Sequence, residues 1–409
     1  MIDRASIEAA WATIAHLLDP VHQDAEADAL LRNPEAESPG IEAAIVHMGL
    51  VDRTMGGAIQ ALGYDFAADP LLWTRANEAT LQARCLQQLS SWWKVNPQDA
   101  ALLQDVVVRT SFGTSYGFAT PQHIIVAPVH FVIVPYVYQE LLMLSARAFD
   151  EALGRGEDKA WSALANSDTG IAPSMPPAMR RLFARLLTDH AFHPAEPGDN
   201  PTDALMARSE ILCPDGNSYE PYTLESHLSY SALDYALSHE LAHRVLHAIN
   251  PDFAIDQALE QAADLIGFRF FACSWGWRDD IFEGAPLSEG GRILLGPLWF
   301  FYSASMFFTL RSLLAARVAE FAPGSALARR LAFKGEPLLA LTERWHRVKG
   351  LLAQYAEVAA VFGAPLSKLD GIILDHLTIA LSGFTDALQG WVEAIPEADI
   401  LFAAELPEI

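Results

Sequence analysis

Two histidines and a glutamate on one predicted helix have the spacing of a metal site. The segment YALSHELAHRVLHAI places His239 and His243 four residues apart, so their Cβ atoms lie about 5–6 Å apart on one helix face. Two imidazoles in this arrangement can bind one Zn²⁺ at Zn–N distances of about 2.0–2.1 Å. Glu240 lies about 100° further round the helix, where its carboxylate reaches a water on the metal rather than the metal itself. The pattern predicts a metal site with a general base beside it.

A third protein ligand is expected on the helix that follows. A catalytic zinc site uses three protein ligands and keeps its fourth position for water. Seventeen residues after His243, the segment ALEQAADLIGF carries Glu260 and, one helical turn later, Asp264. A turn at Asn250-Pro251 lets the second helix pack on the first, so that Glu260 supplies the third ligand. Asp264 would accept the other N–H of a ligand histidine and fix the orientation of its ring.

The two segments together resemble a known class of enzymes. HELAH followed by EQAAD resembles the gluzincin class of zinc metallopeptidases and is similar to the HtpX-like and ImmA/IrrE-like families. The phage-exclusion Lit-type peptidases are a weaker comparison. The resemblance covers residues 235–267. It implies a zincin-like core with one Zn²⁺ per chain on His239, His243 and Glu260, and peptide-bond hydrolysis by a zinc-bound water that Glu240 activates.

The residue that stabilises the oxyanion is left open by the sequence. Hydrolysis of this kind needs an electrophile beside the developing negative charge. Tyr222, Tyr230 and His376 lie in partly polar segments and are the candidates, although no pattern places any of them near the metal. The resemblance and the expected compartment predict a specific or regulated protein substrate, as in bacterial stress or phage-response systems.

A second motif suggests a serine hydrolase. The run Gly113-Thr114-Ser115-Tyr116-Gly117 matches GxSxG, and Asp375 and His376 are available to complete a triad. The motif requires a helix directly after the serine. Pro121 and a β-branched run follow instead, so this is the weaker alternative.

Another alternative is an α-helical metal sensor or interaction protein without proteolysis, in which the site has no catalytic role.

Three further side chains are not assigned to a functional site. His123 and His130 flank an apolar stretch and are interpreted as packed histidines that backbone groups satisfy. Cys213 lies in a loop without any recognisable switch motif.

The elements that position these residues form a mainly α chain with a small β-sheet (α+β). Short β-branched runs at 106–108, 124–126 and 131–134, separated by Gly and Pro, are the convincing strands. Helical periodicity dominates elsewhere, and helix breaks occur at Pro and Gly. The sequence divides into a helical region, a zincin-like core and a second helical region, at residues 1–100, 101–290 and 291–409.

Composition limits the partners and the compartment. The 51 acidic and 27 basic residues give a net charge of −24, which repels phosphate backbones, and no basic run overrides it, so nucleic acid is not expected as a partner. Three distant cysteines and the lack of a signal-peptide pattern predict a cytoplasmic protein. Residues 293–310 are uncharged and reach the lower limit for a membrane span. Gly296 and Pro297 favour a buried core helix there, and membrane contact is the less favoured interpretation.

Overall fold

The structure is a computed structural model of the chain. It describes residues 4–18, 81, 88, 106–111, 121–154, 159–189, 201–209, 223–249, 257–275, 286–332, 341–361 and 363–407. The described residues form two compact units. We call those within 1–136 and 237–270 the sheet unit, and those within 137–236 and 271–407 the helical unit.

A three-stranded sheet and one helix form the centre of the sheet unit. Strand β1 (Val106–Ser111) runs parallel to the central strand β3 (Val129–Pro135). Strand β2 (Gln122–Val126) runs antiparallel to β3, which gives the order β1-β3-β2. Every residue of β3 is buried, as its β-branched run predicts for a central strand. Helix α1 (Arg4–Leu18) packs on one face of this sheet.

Alternation along the strands separates an apolar face from a face with two histidines. On the α1 side, Trp11 packs against Phe131 with ring centroids 5.5 Å apart, and Ile124 joins the same core. Successive side chains of a strand point to opposite faces. His123, which precedes Ile124, and His130, which precedes Phe131, therefore lie on the face away from α1.

Two long helices carry the metal-binding motif. Helix α6 (Thr223–Ile249) contains HELAH, and helix α7 (Gln257–Trp275) contains EQAAD. Residues 237–249 of α6 and 257–270 of α7 belong to the sheet unit. Glu260 lies in the first turn of α7, where the positive end of the helix dipole stabilises a carboxylate.

Among the described residues, nine further helices and the remaining parts of α6 and α7 make up the helical unit. Its core includes Phe149, which packs against Trp299 and Phe384 with ring centroids 5.8 Å and 5.4 Å away. The helices are α2 (Tyr136–Ala152), α3 (Lys159–Ala165), α4 (Pro177–Thr188), α5 (Pro201–Arg208), α8 (Glu289–Phe321), α9 (Ala326–Leu331), α10 (Leu341–Val361), α11 (Lys368–Glu393) and α12 (Glu397–Glu405). The prediction of a mainly helical chain with a small sheet is confirmed.

Two helices of this unit, α8 and α11, are long and apolar enough to cross a membrane by length and composition alone. The apolar stretch 293–310 lies in α8. In α8, 72% of the most apolar window is buried within the chain, against 39% in α11. A buried helix of a protein core has the same composition as a membrane span. Most of the apolar surface of α8 is therefore covered by the chain itself.

Candidate metal centre

The imidazoles of His239 and His243 project from one face of α6 and approach each other. Their Nε2 atoms are 3.1 Å apart, which is close enough for both nitrogens to bind one ion. His239 is buried and His243 is half-buried, so the first imidazole is fixed by packing and the second borders solvent. The four-residue spacing alone predicts this arrangement, because residues i and i+4 share a helix face.

Glu260 of α7 completes the cluster. Its Oε2 lies 3.3 Å from His239 Nε2, and its Oε1 lies 3.6 Å from His243 Nε2. The three candidate ligand atoms all lie within 4.8 Å of one another. Two imidazole nitrogens and one carboxylate oxygen suit zinc and other divalent ions. The donor set therefore fits a metal ion, as the sequence predicts for these three residues.

Asp264 and Gly267 bring His239 to this position. Asp264 is buried, and its Oδ1 lies 3.0 Å from His239 Nδ1, the ring nitrogen that faces away from the cluster. An acidic partner at this nitrogen fixes the ring orientation and leaves Nε2 directed at His243 and Glu260. Gly267, one turn after Asp264, lies directly against the His239 backbone. The sequence predicts the role of Asp264 and does not indicate that of Gly267.

The carboxylates favour a positive charge at the centre of the cluster. Burial lowers the pKa of His239, but hydrogen bonds to Asp264 and Glu260 and the charge of Glu240 raise it to about 10. Burial and the charge of His239 lower the pKa of His243 to about 4. The cluster thus stabilises one positive charge shared by its ligand atoms and disfavours a second. A divalent cation bound by these atoms would satisfy the same field.

Glu240 has the position and the electrostatics of a general base. It is buried beside the ligands, and burial raises the pKa of its carboxyl to about 8, although the charge of His239 acts in the opposite direction. General bases work best when their pKa lies near the working pH. The backbone N–H of His123 donates a hydrogen bond to the Glu240 carboxylate. One strand of the sheet therefore reaches the HExxH motif.

His123 and His130 belong to the same site, which the sequence did not reveal. His123 Nε2 lies 3.0 Å from His130 Nδ1, so one nitrogen of each ring is hydrogen-bonded to the other ring. The His123 ring is stacked parallel to the His243 ring, with centroids 6.3 Å apart. The His130 ring meets the edge of His247, with centroids 5.5 Å apart. A hairpin places both histidines on one face of the sheet, where their rings contact each other, and the expectation that backbone groups satisfy them stays a prediction.

Two of the three candidates for the oxyanion stabiliser, Tyr230 and His376, lie among the described residues. Tyr230 is exposed on α6 and belongs to the helical unit. His376 also belongs to the helical unit, where its Nδ1 lies 2.6 Å from the carbonyl oxygen of Leu164. Tyr222, the GxSxG run at 113–117 and Cys213 lie outside the described residues.

Among the described residues, the sheet unit thus combines a three-ligand cluster, a supporting carboxylate and a buried glutamate close to it. This combination can hold a cation and move a proton next to it. No protein-family model matches the chain, and no curated protein or solved structure matches it.

Proposed function

We propose that the protein is a zinc-dependent metallopeptidase of the gluzincin type. His239, His243 and Glu260 are the ligands, and Glu240 is the general base. The observation that carries the proposal is the convergence of three ligand atoms within 4.8 Å of one another, from two helices that the sequence pattern pairs. Asp264 behind His239 adds a supporting carboxylate of the kind that accompanies histidine ligands in metal sites.

The chemistry follows from the placement of the two glutamates. Zinc, when bound, lowers the pKa of water and polarises a carbonyl group. Glu240 takes a proton from the attacking water and delivers it to the leaving amine. Its buried position beside the candidate ligands lets one carboxyl group serve both steps. Glu260 would supply the carboxylate oxygen that completes the ligand set.

The outer edge of β2 supports a peptide as the substrate. The hairpin closes at Val126 and Val129 with two residues between them. From this closing pair onward, the residue pairs of β2 and β3 alternate between hydrogen-bonded and non-hydrogen-bonded pairs. His123 and Ile125 then fall in pairs whose N–H and C=O groups point away from β3. The hydrogen bond from the His123 N–H to Glu240 agrees with this direction. In the described part of the chain β2 is an edge strand, and an extended peptide can pair with its outward groups other than the His123 N–H, which Glu240 accepts.

The substrate is proposed to be a specific or regulated protein. An unrestricted peptidase in the cytoplasm, the compartment expected from the sequence, would digest the proteins around it. Purified protein that degrades unfolded casein indiscriminately would contradict this part of the proposal and leave the metallopeptidase assignment intact.

The test compares the wild-type chain with Glu240→Gln and Glu260→Ala. Elemental mass spectrometry on untagged protein should find about one zinc per chain in the wild type and in Glu240→Gln, and little in Glu260→Ala. Cleavage of a peptide library, read by mass spectrometry, should occur only with the wild type. If all three proteins contained zinc, the ion would bind at a site that does not need Glu260.

One outcome favours a metal sensor or interaction protein instead. The cluster alone fits that function, since its geometry requires only that an ion be held. Zinc bound by the wild type, with no cleavage that depends on Glu240, would support the sensor and contradict the peptidase. Asp386→Asn, which removes an exposed carboxylate on α11, is the matched control and should change neither zinc content nor cleavage.

A further inference from the structure

His123 contacts both halves of the HExxH motif. Its backbone N–H donates to the Glu240 carboxylate, and its imidazole is stacked beside the ligand His243. The two contacts use different parts of one residue, because the main chain of an edge strand and its side chains point in perpendicular directions. A single position in β2 therefore reaches the general base and a metal ligand together.

His130 holds the imidazole of His123 in place. The 3.0 Å contact between the two rings joins β2 to the central strand, whose backbone is buried throughout. His130 also borders His247, one turn after His243 on α6. The His123–His130 pair thus lies between the sheet and the face of α6 that carries the ligands.

We propose that the β2–β3 hairpin is a positioning element of the metal centre, in which the His123 N–H orients Glu240 and the His123–His130 pair orients His243. This proposal rests on the proposed function for its catalytic readout. Neither residue is required as a ligand, and both act through the motif.

The physical reason is that a buried carboxylate needs a fixed partner. Glu240 is nearly excluded from water, so its orientation is set by the few donors that reach it. A hydrogen bond to a charged group contributes enough to change a rate by about 10- to 100-fold when it is lost. A general base that is misplaced by about 1 Å loses a similar factor.

The experiment separates the backbone contact from the side-chain contact. His123→Ala removes the imidazole and keeps the N–H, whereas His123→Pro removes both. Proline is tolerated on an edge strand where the N–H points away from the sheet. His123→Gln restores a group that can hydrogen-bond to His130, and His130→Ala removes the partner. Gln122→Ala, at an exposed neighbouring position of β2, is the control.

Each variant is measured for zinc content, for kcat and KM, and for the visible absorption of the Co²⁺-substituted protein. We expect about one metal per chain in all of them. We expect kcat to fall about tenfold in His123→Ala and about 100-fold in His123→Pro, with KM changed less than about threefold. The Co²⁺ bands should shift in His123→Ala and His130→Ala, and His123→Gln should recover part of the loss. Gln122→Ala should match the wild type.

The outcomes separate this proposal from the proposed function. Unchanged kcat in both His123→Ala and His123→Pro, with cleavage still abolished by Glu240→Gln, would overturn the positioning role and leave the peptidase intact. If the wild type cleaves no peptide, the proposed function fails, and the Co²⁺ spectra still decide about the hairpin. Spectra unchanged in His123→Ala and His130→Ala would then overturn its contact with His243. Should His123→Pro fail to fold, the Ala and Gln variants carry the comparison.

Discussion

The backbone of Gly267 lies directly against the backbone of His239. A Cβ built on Gly267 would stand 2.8 Å from the His239 Cα and 2.9 Å from its backbone nitrogen. Glu260, Asp264 and Gly267 are spaced at i, i+4 and i+7, so they lie on one face of α7. Close approach at the glycine therefore brings the candidate ligand Glu260 and the supporting Asp264 within reach of His239.

Gly267→Ala is expected to weaken the metal centre. The added methyl group has no room, because its nearest neighbours are backbone atoms that cannot move without shifting α6 or α7. We expect a loss of about 1–3 kcal/mol in the free energy of unfolding, and weaker zinc binding because Glu260 and Asp264 move away from His239. Urea unfolding and a zinc titration against a chelator measure the two effects.

Gly350→Ala provides the matched control for this substitution. Gly350 lies inside α10, and a Cβ there would meet nothing within 4 Å. Alanine at such a helix position should stabilise the protein by about 0.5–1 kcal/mol and leave zinc binding unchanged. If Gly267→Ala behaved like Gly350→Ala in both measurements, the close helix contact would not matter for the site.

Asp264→Asn should reduce the affinity for zinc without removing a ligand. The amide can still accept a hydrogen bond from His239 Nδ1 but lacks the negative charge that makes the imidazole a stronger ligand. We expect the zinc dissociation constant to rise about 10- to 100-fold, measured by competition with a chromogenic chelator. Asp386→Asn again serves as the control. Equal affinity in wild type and Asp264→Asn would rule out this supporting role.

Glu225 in the helical unit should make stability depend on pH. Burial raises the pKa of its carboxyl to about 7, although Arg147, whose Nε lies 3.3 Å from Glu225 Oε2, lowers it. Between the unfolded value of 4.5 and about 7, the folded chain keeps a proton that the unfolded chain releases. The free energy of unfolding therefore falls as pH rises through this window, by up to about 3 kcal/mol, and stays low above it.

Glu225→Gln tests this dependence because the amide imitates the protonated carboxyl. Its free energy of unfolding, relative to wild type, should increase by up to about 3 kcal/mol between pH 4.5 and 8. Urea unfolding at both pH values gives this difference and cancels any metal contribution that the two proteins share. Glu405→Gln, at an exposed position of α12, should show no such change. A constant difference between Glu225→Gln and wild type would contradict the assignment.

Local periodicity made the ligand set predictable. The pairs His239–His243 and Glu260–Asp264 are each four residues apart, and this spacing places each pair on one helix face whatever the rest of the chain does. The three β-branched runs likewise predicted the three strands of the sheet, since strand preference is largely a property of short segments. These features are encoded by neighbours in the sequence, so composition and spacing were sufficient to find them.

The support of the site was decided by contacts between distant segments. His123 and Glu240 are more than one hundred residues apart, and no local pattern relates a hairpin histidine to a helical glutamate. No sequence pattern predicts the role of Gly267 either, because its importance comes from the absence of a side chain where two helices touch. The sequence by itself determined which residues can bind an ion. Only the tertiary structure decided what holds them in place, because that depends on how the sheet and the two helices pack in three dimensions.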